Sequence, residues 1–147
     1  MKVALIGIGG RVGSRLATEL LARGHSVTGI ARKVDNVRAR PGLTIRQGDA
    51  TQPAILAPLI AGHNAVFSAP WFQTSDANAL IAAVKQAGVK RLLVVGGAGS
   101  LEVAPGKVLL EASGLNDEGL AEAGAANPFR LPRLHPGIGY GVGPTVG

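Results

Sequence analysis

The residues Gly7-Ile8-Gly9-Gly10-Arg11-Val12-Gly13 follow a short apolar run near the N-terminus and place glycines three apart at Gly7, Gly10 and Gly13. The chemistry open to such a loop is the cradling of a phosphate. Gly7 suits the tight turn after a strand, Gly10 lets the backbone approach a pyrophosphate, and Gly13 lets the following helix pack close to a sheet. Amides freed at the start of that helix, together with its dipole, favour an anion. Glycine-rich turns also arise for structural reasons alone. Here the loop sits between a strand and an amphipathic helix, with a second strand beyond, so Gly7, Gly9, Gly10, Arg11, Val12 and Gly13 are candidate contacts to a dinucleotide.

The end of the second strand discriminates between dinucleotides. An acid there holds the ribose 2′-hydroxyl of NAD, whereas an arginine accommodates the 2′-phosphate of NADP. The chain reads Ala31-Arg32-Lys33 with no acid before Asp35. NADP(H) is therefore expected in preference to NAD(H), with Arg32 as the main partner and Arg11 or Lys33 in support; the alternative is a solvated basic loop. Asp49 and Ala50 follow the third strand, where a carboxylate either accepts from the adenine amino group or caps a turn. Ser68-Ala69-Pro70 and Gly96 to Ser100 follow the fourth and fifth strands, at the carboxyl ends where parallel sheets bind ligands. Ser68, Ala69, Pro70 and Gly97 thus join the cofactor candidates. Ser100 is the catalytic candidate, as a hydrogen-bond donor to a substrate carbonyl, with a loop or helix cap as its alternative. Trp71 and Phe72 either wall a flavin or nicotinamide ring or are partly buried under the next helix.

Other chemistries lack their residues. His25, His63 and His135 have no metal-ligand spacing and read as structural. Glu102, Glu111, Asp117, Glu118 and Glu122 form no paired acid motif, and no Gly-x-Ser-x-Gly elbow is present.

The elements that must hold these residues follow from periodicity and punctuation. Lys2 to Gly7 reads as a buried parallel strand. Arg11 to Arg23 reads as a helix with Val12, Leu16, Leu20 and Leu21 at helical spacing and Gly24 as its stop. Strands are expected at His25 to Ala31, Leu43 to Arg46, Ala65 to Ala69 and Arg91 to Val95. Between strands two and three there is room for at most a short helix. Thr51 is expected to cap a helix from Pro53 to about Ala61, and Thr74 or Ser75 a helix carrying Leu80, Ile81 and Val84 and closed by Gly88. Alternating strands and helices imply right-handed crossovers, and so an α/β, Rossmann-type doubly wound parallel sheet of order 3-2-1-4-5. Residues 113 to 147 hold eight Gly and four Pro in 35 positions. At most Leu115 to Ala126 reads as helical there. The organisation expected is an NAD(P)-binding domain over 1–112 and an irregular Gly/Pro-rich segment over 113–147 that is not a separate domain.

Composition bounds the function. The 147 residues contain no cysteine, are 46% hydrophobic and only 3% aromatic, and carry a net charge of +6. That excess lies in residues 1 to 40, which hold eight basic side chains against Glu19 and Asp35; the remainder holds seven of each sign. No aromatic residue is interleaved with these charges, which favours a phosphorylated cofactor over a nucleic-acid strand. No apolar run reaches the length that spans a bilayer, and the N-terminal run is too short for a signal peptide. A cytoplasmic protein that works on a small molecule, without nucleic acid or membrane, is expected. An edge at strand five would favour a homodimer.

The loop, Ala31-Arg32-Lys33, Gln47-Gly48-Asp49, Ser68-Ala69 and the stretch Leu93-Val94-Val95-Gly96-Gly97-Ala98-Gly99-Ser100-Leu101 resemble the atypical short-chain dehydrogenase/reductases, particularly their NADH-flavin reductase-like and NmrA-like NAD(P)H-binding members. The resemblance covers about residues 1 to 110; Gly9 departs from it, where the family has threonine or another small residue. It implies NAD(P) binding and hydride transfer to a flavin or quinone. Gly7, Gly10, Arg11 and Gly13 would lie on the pyrophosphate side, Arg32 at the ribose phosphate, Asp49 near adenine, and Ser68, Ala69, Gly97 and Ser100 by the nicotinamide. The Tyr-x-x-x-Lys relay of many short-chain dehydrogenases is absent, because the one tyrosine, Tyr140, is followed four residues on by Pro144. His135-Pro136-Gly137-Ile138-Gly139-Tyr140-Gly141 weakly resembles a stretch that follows the sixth strand in extended relatives. Since family members run beyond 147 residues, the substrate half is expected to be truncated, rebuilt or read in a shifted frame after about residue 110. The functional expectation is an NAD(P)H-dependent oxidoreductase that reduces a flavin or quinone-type acceptor, with a non-catalytic NAD(P) sensor as the alternative.

Overall fold

The computed structural model describes residues 1–96, 102–105, 107–108 and 139–141. In chain order they form β1 (Lys2–Ile6), α1 (Arg11–Ala22), β2 (Ser26–Ala31), β3 (Leu43–Gln47), α2 (Pro53–Ile60), β4 (Ala65–Ser68), a 3-10 turn (Phe72–Thr74), α3 (Ala77–Gln86), β5 (Arg91–Val94), β6 (Glu102–Ala104), β7 (Lys107–Val108) and β8 (Gly139–Gly141). The main sheet runs β3-β2-β1-β4-β5-β8, with every pairing parallel. This is the doubly wound order expected, extended by one strand. β6 and β7 form a separate antiparallel pair.

β1 shows why both faces of the sheet are covered. Its side chains alternate. Val3 and Leu5 join Ile8, Ala17, Leu20 and Val27 in the core under α1. Ala4 and Ile6 join Ile30, Leu56, Ile60, Leu80, Val84 and Leu92 in the core under α2 and α3. A strand buried on both faces reads as an unbroken apolar run, as Val3 to Ile6 does.

Several expected details are corrected. Val12 is exposed, and the face of α1 that meets the sheet is made of Gly13, Ala17 and Leu20, with Leu16 and Leu21 packed against the same core. Small residues serve there because the helix packs close to the strands. Thr51 does not cap α2: Gln52 holds the N-cap position without a side-chain bond, and Pro53 opens the helix. Thr51 instead donates through its amide and hydroxyl to Asp49 Oδ1. α3 is capped by Asp76, whose carboxylate accepts from the Ala79 amide at 3.1 Å; the Thr74 and Ser75 hydroxyls donate to the Trp71 carbonyl. The link between β2 and β3 contains no helix. It is held down by Val37 packing on the α1-side core and by Arg40 Nη1 donating to Thr18 Oγ1 at 2.6 Å.

Within the irregular C-terminal segment, Gly139–Gly141 forms a three-residue strand in register with Arg91, Leu92 and Leu93. Residues 113–138 and 142–147, with the weak helix read at Leu115 to Ala126, lie outside the described residues. β8 lies along the edge of β5. His63 Nδ1 lies 2.9 Å from the Ile60 carbonyl and Nε2 2.8 Å from the Thr28 hydroxyl, and His25 Nδ1 lies 3.2 Å from the N-terminal ammonium. Among the described residues no helix is long and apolar enough to cross a membrane, and no cluster of metal-ligating side chains occurs.

Candidate functional site

Backbone hydrogen bonds draw the carboxyl ends of five strands into one rim. The Gly48 amide donates to the Ala31 carbonyl (3.0 Å), Gly7 to Ile30 (2.8 Å), Ala69 to Ile6 (3.0 Å) and Val95 to Ser68 (2.8 Å). Within this rim β1 and β4 are neighbours whose onward connections leave in opposite directions, so a crevice opens between the loop after β1 and the loop after β4.

The glycine loop fits that crevice for reasons that differ from glycine to glycine. Gly7 turns at φ +83°, a conformation that side chains disfavour. A Cβ there would also stand 2.9 Å from the Pro70 nitrogen and 3.0 Å from the Ala69 carbonyl carbon. A Cβ on Gly13 would run into the Gly7 carbonyl, so Gly13 sets how closely α1 approaches the turn. Gly10 is the N-cap of α1 in an extended conformation and provides no side-chain acceptor. Gly9 is exposed, and a Cβ on it would meet only Val37 Cγ2, at 3.9 Å. The residue that sequence reading left without a role is Ile8. It is buried, and a Cβ on Gly29 of β2 would collide with it. The signal available in the sequence was Gly29 itself, an unexplained glycine inside a strand.

The start of α1 is electrostatically incomplete. The first-turn amides of a helix need outside partners, yet Gly10 supplies none and the first turn contains no acid. Arg11 places a cation at the positive end of the helix dipole, an arrangement favourable only with an anion nearby. Arg32 and Lys33 are exposed at the end of β2. Among the described residues the one ion pair is Arg23 with Glu19, so neither Arg32 nor Lys33 is held in an ion pair.

Asp49 adopts the turn-capping arrangement. Its Oδ1 accepts from the Thr51 amide at 2.9 Å and the Thr51 hydroxyl at 2.8 Å. These bonds hold its carboxyl below the ordinary value of 3.8; partial desolvation opposes them and the charge of Arg32 assists. Ala50 packs against the core under α2. Ser68 is buried and pairs with Ile6 in the sheet, while Ala69 and Pro70 lie against Gly7. Gly97 and Ser100 lie outside the described residues. Trp71, directly after Pro70, is 60% exposed.

A family model described as NAD(P)H-binding matches residues 7–127. The chain belongs to this NAD(P)H-binding family. The uncharacterized protein YwnB of Bacillus subtilis is 37% identical over 108 residues, which are 70% of this chain and 50% of that protein. The chain therefore spans about half the length of this curated relative. A solved structure from Bacteroides thetaiotaomicron, provisionally named an epimerase, superposes with a TM-score of 0.80 at 31% identity, covering 95% of this chain and 68% of the other. Another, from Streptococcus pneumoniae and provisionally named an NADH-flavin reductase, gives a TM-score of 0.75 at 28% identity, with 95% and 69% covered. The NAD(P)H-binding domain is thus of the atypical short-chain dehydrogenase/reductase kind.

Proposed function

We propose that the protein is a cytoplasmic NADPH-dependent oxidoreductase that passes a hydride to a small flavin or quinone-type acceptor. The observation that carries this reading is the uncapped, acid-free start of α1 beside the unpaired Arg32 and Lys33, at the crevice between β1 and β4. Those residues fit a bound dinucleotide. The amides of Arg11, Val12 and Gly13 would hold the pyrophosphate, with Gly9 and Gly10 keeping its approach free of side chains. Arg32, supported by Lys33 or Arg11, would hold the 2′-phosphate, and Ala69 and Pro70 would form the floor beside the reactive ring. Asp49 would keep an oxygen available for the adenine amino group. Bound there, NADPH would supply a hydride, two electrons with one proton, and the second proton for a flavin or quinone would come from solvent. The protein's task is to align two rings and exclude competing reactions, which requires no Tyr-Lys relay.

The test is a paired titration of NADPH and NADH, followed by nicotinamide fluorescence, on the native chain and on Arg32→Glu. Tighter binding of NADPH by the native chain is expected. The substitution should lower NADPH affinity by about tenfold or more while leaving NADH nearly unaffected, since a charge-assisted contact is lost and a repulsion gained. Equal losses for both would defeat the 2′-phosphate assignment. Turnover of NADPH with FMN or menadione would support the oxidoreductase, and tight binding without turnover would point to a sensor.

A further inference from the structure

The chain contains one tryptophan, and that residue is left 60% exposed immediately beyond the β4 rim. Tryptophan has the largest apolar ring of any side chain, so leaving it in water forfeits burial that the α3 side of the core could have provided. Its position is not that of a loose loop tip. Upstream, the Ala69 amide is tied to the Ile6 carbonyl at 3.0 Å, and Pro70 has its φ fixed by its ring and lies against Gly7. Downstream, the Trp71 carbonyl accepts from the Thr74 amide at 3.1 Å, the Thr74 hydroxyl at 3.0 Å and the Ser75 hydroxyl at 3.1 Å. The backbone that carries this exposed side chain is thus anchored on both sides, one residue beyond the backbone that touches the phosphate-loop turn. Consecutive Cα atoms are about 3.8 Å apart, so Trp71 is placed at the mouth of the β1/β4 crevice.

We infer that Trp71 is the platform on which the planar acceptor ring stacks. This inference rests on the oxidoreductase reading above and specifies the residue that receives its acceptor. Stacking on an indole positions a flat ring by its face and demands no hydrogen-bond relay, which accords with a site that has no Tyr-Lys pair. The basic side chains belong to the other side of the rim, on the glycine loop and at the end of β2. The platform therefore selects by shape and polarisability, and the basic side by charge.

The test compares the native chain with Trp71→Ala and Trp71→Phe, each first saturated with NADP+ and checked for fold by circular dichroism. FMN is titrated while flavin fluorescence is followed in all three and indole fluorescence in the native chain, where the single tryptophan reports its own occupancy. Steady-state KM for menadione supplies the quinone arm. Expected are saturable quenching of the indole by FMN, an affinity for the flat acceptor roughly three- to tenfold weaker in Trp71→Ala, and recovery of most of it in Trp71→Phe. The affinity for NADPH, read separately from nicotinamide fluorescence, should stay unchanged in both variants. A response confined to menadione would make a quinone the occupant. Unchanged acceptor affinity in Trp71→Ala, no binding of either acceptor, or a parallel loss of NADPH affinity would each overturn the inference, the last by assigning the indole to the nicotinamide. Failure of the native chain to bind NADPH at all would overturn the underlying reading instead, through a readout that does not involve Trp71.

Discussion

Among the glycines of the loop, steric demand separates two that sequence spacing treats alike. A Cβ on Gly13 has nowhere to go, because the Gly7 carbonyl and the Ile8 backbone stand in its path, and backbone yields less easily than a flexible side chain. Gly13→Ala should therefore destabilise the fold by about 1–3 kcal/mol, as overpacking does in well-filled cores. Gly9→Ala, whose Cβ would meet only a distant Val37 methyl, should leave the urea midpoint nearly unchanged. Equal effects would mean that α1 is free to shift away from the turn. Asp49 makes a second prediction at this scale. Its carboxyl is held below 3.8 chiefly by the Thr51 amide and hydroxyl. A depressed carboxylate stabilises the fold above the unfolded value and loses that contribution as pH falls from 3.8 through the folded value. Thr51→Val removes the hydroxyl donor but keeps the amide, so the Asp49 midpoint, followed by carboxyl NMR titration, should move upward, and the acid loss of stability, which still sets in near 3.8, should be smaller and complete at higher pH. An unmoved midpoint would show that the hydroxyl bond contributes nothing in solution.

Between elements, the contact that matters most for the loop is one that its motif does not advertise. Ile8 drops from the loop into the core beneath α1, over the bare backbone of Gly29, and so fastens the phosphate loop to β2. Ile8→Ala should cost about 2–5 kcal/mol as a cavity opens, and Gly29→Ala should cost stability by pushing Ile8 out. Together they should cost clearly less than the sum, because each relieves the other; strict additivity in denaturant unfolding would show that the two do not touch. This pair also marks how far the sequence could be read. Strand order, helix positions and the roles of Gly7 and Gly13 were legible, because they rest on local periodicity, on a turn conformation that glycine adopts cheaply at Gly7, and on the close approach of helix to turn that motif spacing assigns to Gly13. Ile8 and Gly29 lie 21 positions apart in the sequence, and their contact appears only once β1 and β2 pair. The caps misled for a related reason. Thr51, Thr74 and Ser75 are good cap formers, but nearby acceptors, the Asp49 carboxylate and the Trp71 carbonyl, took their hydroxyls. β8 was hidden because a three-residue strand among glycines has no periodicity of its own and exists only through β5.

Across the whole molecule, the fold converts an uneven charge distribution along the chain into a local field. The eight basic residues of the first forty include Arg11 on the first turn of α1 and Arg32, Lys33, Arg38 and Arg40 on the link after β2. That link is drawn against α1 by Val37 and returns to the start of β3, where Arg40 bonds Thr18 about two turns into α1, so the cations that share the rim are Arg11, Arg32 and Lys33. Their combined field attracts a polyanionic ligand. Solvent-exposed charges interact over about 10 Å at 0.1 M salt and about 3 Å at 1 M. Raising the ionic strength over that range should therefore weaken NADPH binding severalfold and NADH binding less, so that the preference for NADPH narrows. The same salt should hardly move the urea midpoint, because the one ion pair among the described residues, Arg23 with Glu19, is exposed on α1, and such pairs contribute little to stability. NADPH titrations across a salt series, run beside urea unfolding in the same buffers, separate the two quantities. A flat NADPH affinity would mean that the cations act singly through close contacts rather than as a field, and a falling urea midpoint would mean that they are neutralised within the protein by partners of their own.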